Sequence, residues 1–211
     1  KQIWALGCSY TSSIGVEDHE RWAVKLAEKM NKPVSVLALH GSNITWAADQ
    51  LLRSDIRPGD TVFWLLTGVC RIDYFSESDR SVRIYPTIKD WEQEQVDYLG
   101  NYEYSMLMKL LTHKWNVYLS IKSISQVINY CKQLNVDLYF GQGIRNDPTT
   151  DNVLIKILKQ YPNFILPFSV ELYYDNFMLD IGTDDCHPGP KTHVKIAEDF
   201  YKYVLRNQKT I

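Results

Sequence analysis

The chain has 211 residues, with 23 Lys and Arg against 25 Asp and Glu, a formal charge of −2. That length fits one domain and lets the chain bury roughly 70% of its unfolded surface without disulfides or structural metals. The balanced charge leaves no electrostatic footprint for nucleic acid. With 45% hydrophobic and 23% charged residues the chain is not of the disordered class, and no apolar run approaches the roughly 18–20 residues of a membrane span. No stretch combines a basic start with an apolar h-region, which sets the expectation of a cytoplasmic protein, although the first residue is Lys1 and not methionine. The four cysteines, Cys8, Cys70, Cys131 and Cys186, have no C-x-x-C spacing and read as reduced thiols. Only Cys186-His187 has the close pairing that zinc ligands favour, and the expectation is that no metal is bound.

Strand and helix signals alternate along the chain. Ile3 to Leu6 is a short apolar run ending at Gly7, a buried strand followed by a sharp turn. Residues 17–30 carry Trp22, Ala23, Leu26, Ala27 and Met30 at helical spacing. Val34 to Leu39 reads as a second strand, and residues 43–54 as a helix with Ile44, Ala47, Ala48 and Leu51 on its buried face. Pro58-Gly59-Asp60 is a turn before a third strand, Thr61 to Leu66. Residues 68–100 are polar and loop-like, and they open an aromatic-rich insertion over about 68–118. Helical patterns over 101–134, 150–160 and 190–206 alternate with strands at Val136 to Phe140 and at Phe164 to Leu166. The alternation predicts a three-layer α/β/α sandwich on a five-stranded parallel sheet, a single domain over 1–211. In such sheets ligands collect at the carboxyl ends of the strands.

Two groups of residues fall at those ends. Gly7-Cys8-Ser9-Tyr10-Thr11 follows the first strand and projects a serine from the sheet edge. Asp184-Asp185-Cys186-His187-Pro188 lies just before the last helix. An Asp three residues before a His stands one helical turn away, where its carboxylate can hold the imidazole Nδ1–H, the orienting half of a Ser-His-Asp triad. The structural alternative is an Asp helix cap beside a surface histidine. Ser42-Asn43 reads as a helix cap, and Ser42 is the weaker nucleophile candidate. His193 reads as packed or solvated within the last helix, and His19 and His113 lack acidic partners at useful spacing. Gly141-Gln142-Gly143 lacks the third glycine and the lysine of a phosphate loop and reads as pocket wall.

In order and spacing these residues resemble the SGNH hydrolase superfamily, the GDSL-type esterases and lipases. Gly7-Cys8-Ser9 matches its G-D-S block, with Cys8 where Asp is usual. Gly41, in His40-Gly41-Ser42-Asn43, matches the glycine of the second block, and Asp184-x-x-His187-Pro188 matches the last. The G-x-N-D block is the departure: Thr67-Gly68-Val69-Cys70-Arg71 stands there without an asparagine. The resemblance implies a flavodoxin-like SGNH fold and a catalytic Ser9, His187 and Asp184 needing no cofactor. It implies an oxyanion hole of the Ser9 and Gly41 N–H groups; for the third donor Thr67 is preferred, since it stands where strand three ends, with Arg71 and Asn43 as alternatives.

The 68–118 stretch is the place to look for specificity. Tyr74, Tyr85, Trp91, Tyr98, Tyr102 and Tyr104 stand among charges, a mixture suited to a sugar face better than to an acyl chain. Arg71, Tyr74 and Tyr10 are the substrate-binding candidates. The expected substrate is a short-chain ester, most plausibly O-acetyl, of a glycan or small hydroxylated molecule. An O-acyltransferase and a binding module with lapsed catalysis are the alternatives. Equally, the aromatic rings could seat the insertion on the domain or on a second copy of the chain as a homo-oligomer.

Overall fold

The computed structural model describes residues 1–12, 14–69, 72–75, 81–84, 113–143, 156, 158, 164–169 and 179–208. Five strands, β1 (Ile3–Gly7), β2 (Val34–Ala38), β3 (Thr61–Leu66), β6 (Asp137–Gln142) and β7 (Phe164–Ser169), form one parallel sheet in the order β2-β1-β3-β6-β7. Strands β1 and β3 are buried along their whole length, as central strands covered on both faces should be. The helices α1 (Trp22–Met30), α2 (Ile44–Leu52), α3 (His113–Gln133) and α4 (Pro190–Gln208) supply that cover.

Period-two alternation divides the strand side chains between two cores. On one face Trp4, Leu6, Val62, Trp64 and Phe140 pack with Ile44, Ala47 and Leu51 of α2 and with Ile124, Val127 and Cys131 of α3. On the other, Ile3, Ala5, Phe63, Leu65 and Tyr139 meet Trp22 and Leu26 of α1 and Ile196 and Phe200 of α4. The result is the expected three-layer sandwich. Burial of the Cys131 thiol in the first core pushes its pKa up to about 12, so it behaves as a small hydrophobe. Among the described residues no helix is long and apolar enough to cross a membrane.

Several expectations need correction. The helix read over residues 17–30 is broken: a short 3₁₀ turn (Asp18–Glu20) comes first, and α1 begins only after the extended Arg21 (φ −54°, ψ 142°). The stretch read as loop contains an antiparallel hairpin, β4 (Ile72–Phe75) with β5 (Ser81–Ile84). Its register sets Ile72 opposite Ile84 and Asp73 opposite Arg83, an alternation masked by the polarity of the whole segment. Strand β6 continues through Gln142, so Gly141 and Gln142 are strand residues. A register irregularity between Phe140 and Gln142 adjusts its pairing with β7, an edge strand, where Pro167 is tolerated. Residues 85–112, the centre of the insertion, lie outside the described residues, as do Cys70 and Arg71.

Buried polar groups pin the framework. Asp60, just before β3, accepts the indole N–H of Trp4 (3.0 Å) and the backbone N–H groups of Gln2 (2.9 Å) and Arg57 (3.0 Å). Burial works against its charge, but these donors hold the carboxyl below its ordinary range. His193 of α4 is almost wholly buried, and its Nδ1 accepts the first backbone N–H of α1, from Trp22, at 3.0 Å. It thereby caps a helix whose own N-cap residue supplies no side-chain bond. Desolvation lowers the His193 pKa to about 4, against the smaller opposing charges of Asp180 and Glu20.

Because the folded pKa lies below the unfolded value, this contribution is complete above about pH 6.5 and is lost as pH falls towards 4. The loss amounts to about 3 kcal/mol over that window. Urea unfolding at several pH values checks it. His193→Gln, which keeps an acceptor and does not titrate, should flatten the slope of stability between pH 6.5 and 4. An equal slope in both proteins would contradict the capping role.

Candidate active site

The carboxyl ends of β1, β2 and β3 carry the loops of interest. After β1 the chain folds into a tight turn in which Cys8 C=O accepts the N–H groups of Thr11 (2.9 Å) and Ser12 (3.0 Å). Gly7 is required by crowding, since a Cβ there would lie 2.0 Å from Thr11 Oγ1. Ser9 sits on this turn, only 4% exposed, with its hydroxyl directed at Cys8 Sγ (3.9 Å). The residue that replaces the usual Asp is thus in contact with the candidate nucleophile. Ser9 and His187 share no hydrogen bond in this conformation.

The loop after β2 is tied to the same edge. Ser42 Oγ donates to Gly7 C=O (3.1 Å), which makes Ser42 a strut and removes it as a competing nucleophile. Asn43 Oδ1 accepts the Trp46 N–H (2.6 Å) as the N-cap of α2, as the sequence suggests. This bond orients the Asn43 amide, the alternative oxyanion donor. Gly41 takes φ +72°, a conformation that favours glycine. After β3, Thr67 is 2% exposed and its hydroxyl, like Trp64 Nε1 and Asn116 Oδ1, has no hydrogen-bond partner among the described residues. A buried, unpaired hydroxyl costs about 1–3 kcal/mol, so this one calls for a reason.

Asp184 and His187 occupy a tight loop that leads into α4, and not a helical turn. Its walls are joined by Gly182 N–H to His187 C=O (2.7 Å), Gly189 N–H to Asp180 C=O (3.0 Å) and the Ile181–Pro188 bridge. Asp184 Oδ1 accepts the backbone N–H groups of His187 (3.0 Å) and Cys186 (3.3 Å), while Oδ2 meets His187 Nδ1. Partial burial works against the Asp184 charge, but the bonds from His187 and Cys186 hold its pKa below the ordinary value. It is therefore a carboxylate at neutral pH, able to fix the imidazole with its proton on Nδ1. Helix capping, the competing role for Asp184, belongs to Asp180. That carboxylate accepts the N–H groups of Lys191 (2.8 Å) and Thr192 (2.9 Å), just behind Pro190 at the first helical position.

A backbone clasp joins the two ends of the chain. Thr183 N–H donates to Gly15 C=O (2.9 Å), and Gly15 and Gly182 meet without side chains; a Cβ on Gly182 would lie 2.5 Å from Gly15 O. Gly15 has φ +78°, and a Cβ there would lie 2.7 Å from Asp184 Oδ1. The Tyr10 ring stands edge-on to His187, with centroids 5.7 Å apart, and the ring of His40 also stands 5.7 Å from it. Sequence reasoning missed His40 as a site residue. Its place beside Gly41, in a block already assigned to the site, is the signal that could have found it. Arg71 and the side chain of Tyr74 fall outside the described residues. Asp184, Cys186 and His187 also converge as a group of metal-ligand type.

No protein-family model and no curated protein sequence matches the chain. Solved structures do match. The psychrotrophic esterase EstA from Pseudoalteromonas sp. superimposes with a TM-score of 0.57 at 11% identity, over 99% of this chain and 98% of that one. A G-D-S-L family protein from Desulfitobacterium hafniense gives 0.57 at 8% identity, over 96% and 98%. The acetyl xylan esterase Est2A from Butyrivibrio proteoclasticus gives 0.58 at 12% identity, with all of this chain matching 64% of that longer one. The chain thus has the fold of the SGNH, or GDSL-type, hydrolases, as its three sequence blocks imply.

Replacement of Gly15 by Ala tests the clasp. The left-handed backbone and the contact with Asp184 should together lower stability by about 1–3 kcal/mol, read as a fall in Tm. The Asp184–His187 pair should move, read as shifted His187 ring resonances by NMR. An unchanged Tm and unchanged resonances would show that the clasp does not hold the pair.

Proposed function

We propose that the chain is a serine esterase that removes a short acyl group, most plausibly acetyl, from a carbohydrate or small hydroxylated molecule. The observation that carries the reading is the Asp184–His187 pair, locked on one loop that is clasped to Gly15, six residues beyond Ser9. A surface histidine would have no need of an oriented carboxylate or of a two-glycine contact 167 residues away in sequence. The fold shared with the esterases from Pseudoalteromonas and Butyrivibrio supports the same class of chemistry.

The roles follow from position. In the proposed reaction the Ser9 hydroxyl leaves its contact with Cys8 and gives its proton to His187 Nε2 as the oxygen attacks the ester carbonyl. Asp184 keeps the other ring proton on Nδ1 and stabilises the imidazolium. The N–H groups of Ser9 and Gly41 and the Thr67 hydroxyl face the developing oxyanion. His187 then returns the proton to the departing alkoxide, and water repeats the sequence to release the acid. The Thr67 hydroxyl supports this assignment by its lack of a partner: a donor kept for the transition state is an orphan in the resting protein. The rings of Tyr10 and His40 stand beside His187 and offer a mixed aromatic and polar surface that suits a sugar. Arg71 and Tyr74, the other substrate-binding candidates, rest on the sequence alone.

Two observations favour a second reading, a binding module of the same fold with weak catalysis. The Ser9 hydroxyl faces Cys8, and no asparagine stands in Thr67-Gly68-Val69-Cys70-Arg71, directly after β3. Steady-state hydrolysis of p-nitrophenyl esters from acetate to octanoate separates the two. The esterase reading expects turnover that falls with chain length and drops by at least about 10³-fold in Ser9→Ala. Thr67→Val should lower kcat by ~10²-fold while leaving Tm equal or higher, since it removes an unpaired buried hydroxyl. Absence of turnover on every ester, or full activity in Ser9→Ala, would favour the binding module.

A further inference from the structure

We propose that Asp184, Cys186 and His187 form a site for one zinc-class divalent cation, and that filling it switches the proposed active site off. A carboxylate oxygen, a thiol sulfur and an imidazole nitrogen of these residues lie within 4.8 Å of one another. These are the three donor types that zinc takes in proteins. A tetrahedral ion with bonds of about 2.0–2.3 Å sets its ligands about 3.5 Å apart. Closure therefore asks for about 1 Å of adjustment. The exposed Cys186 side chain moves in, and Asp184 Oδ2 and His187 Nδ1, now in direct hydrogen-bond contact, part by a similar amount to admit the ion. The backbone is already curled for it: Asp185 takes φ +55°, and the Gly182–His187 bond closes the loop beneath. Asp184 Oδ1 is committed to two backbone donors, which leaves Oδ2 to face the ion. Water completes the fourth position.

Occupation has a defined consequence. Asp184 Oδ2 and His187 Nδ1 face each other, so an ion held by both takes the place of the proton between them. That imidazole proton moves to Nε2, and the Cys186 thiol proton passes to solvent. The ion's two positive charges are balanced by one carboxylate and one thiolate. With its proton on Nε2 the ring keeps no lone pair there to accept the proton of Ser9. Cation binding and acyl transfer are thus mutually exclusive. The inhibition rests on the esterase reading; the binding site does not.

Cadmium and zinc test the two parts separately on the full chain, kept reduced with a non-thiol reductant. Cadmium chloride should raise a thiolate-to-metal ultraviolet band that saturates at one equivalent and is displaced by zinc. The band should vanish in Cys186→Ser and persist in Cys70→Ser; the other two thiols, Cys8 and Cys131, are buried. In ester hydrolysis, zinc should inhibit the wild type reversibly to chelator. Cys186→Ser, measured against its own metal-free rate, should need at least about tenfold more zinc for half-inhibition. No band in the wild type, or an equal band in Cys186→Ser, overturns the site. Zinc inhibition of equal potency in both proteins overturns the switch. A chain that binds cadmium through Cys186 but hydrolyses no ester keeps the site and loses the esterase reading.

Discussion

Gly15 and Gly182 touch backbone to backbone, with Thr183 N–H donating to Gly15 C=O, and the candidate active site depends on that contact. Ser9 comes from the first strand and the Asp184–His187 pair from the last loop, so no local structure brings them together. The parallel sheet delivers both to the same edge, to within the slack of two loops. The clasp removes the slack. It requires two residues without side chains, one of them with positive φ, and a side chain on Gly15 would collide with the carboxylate that orients His187.

The same residue types serve two distinct purposes, and hydrogen bonding tells them apart. Asp60 and Asp180 spend their oxygens on backbone, indole or hydroxyl donors and hold strands and helix ends in place. His193 is buried and spends Nδ1 on the Trp22 N–H. Asp184 divides its oxygens, one to the backbone of its own loop and one to a side chain that remains partly exposed. Among the described residues these structural carboxylates and His193 are fully engaged, whereas the Thr67 hydroxyl at the candidate site has no partner, a trait it shares with Trp64 Nε1 and Asn116 Oδ1 elsewhere in the fold. A site that must receive charge later gives up some stability in the resting state.

Much of this was legible in the sequence. Apolar runs such as Thr61–Leu66 and the periodic face of Ile44–Leu52 are set by burial, which any compact fold must satisfy. The Asp184–His187 contact was legible because three residues separate them, although a tight loop and not a helix realises it. The β4–β5 hairpin was not, because its short alternation is diluted by the charges around it. Nor was the break at Arg21, where the cap of α1 comes from His193, 171 positions away. The same limit hid His40: its approach to His187 is a product of tertiary closure and leaves no local periodicity.

The account stands or falls on Ser9 as the nucleophile served by His187. Incubation with an alkyl fluorophosphonate, followed by peptide mapping in a mass spectrometer, reads that directly and without knowledge of the natural substrate. The account predicts one covalent adduct, on Ser9, that forms far more slowly in His187→Ala. Modification of another hydroxyl such as Ser42, or an unmodified Ser9 at large reagent excess in the folded protein, would contradict it.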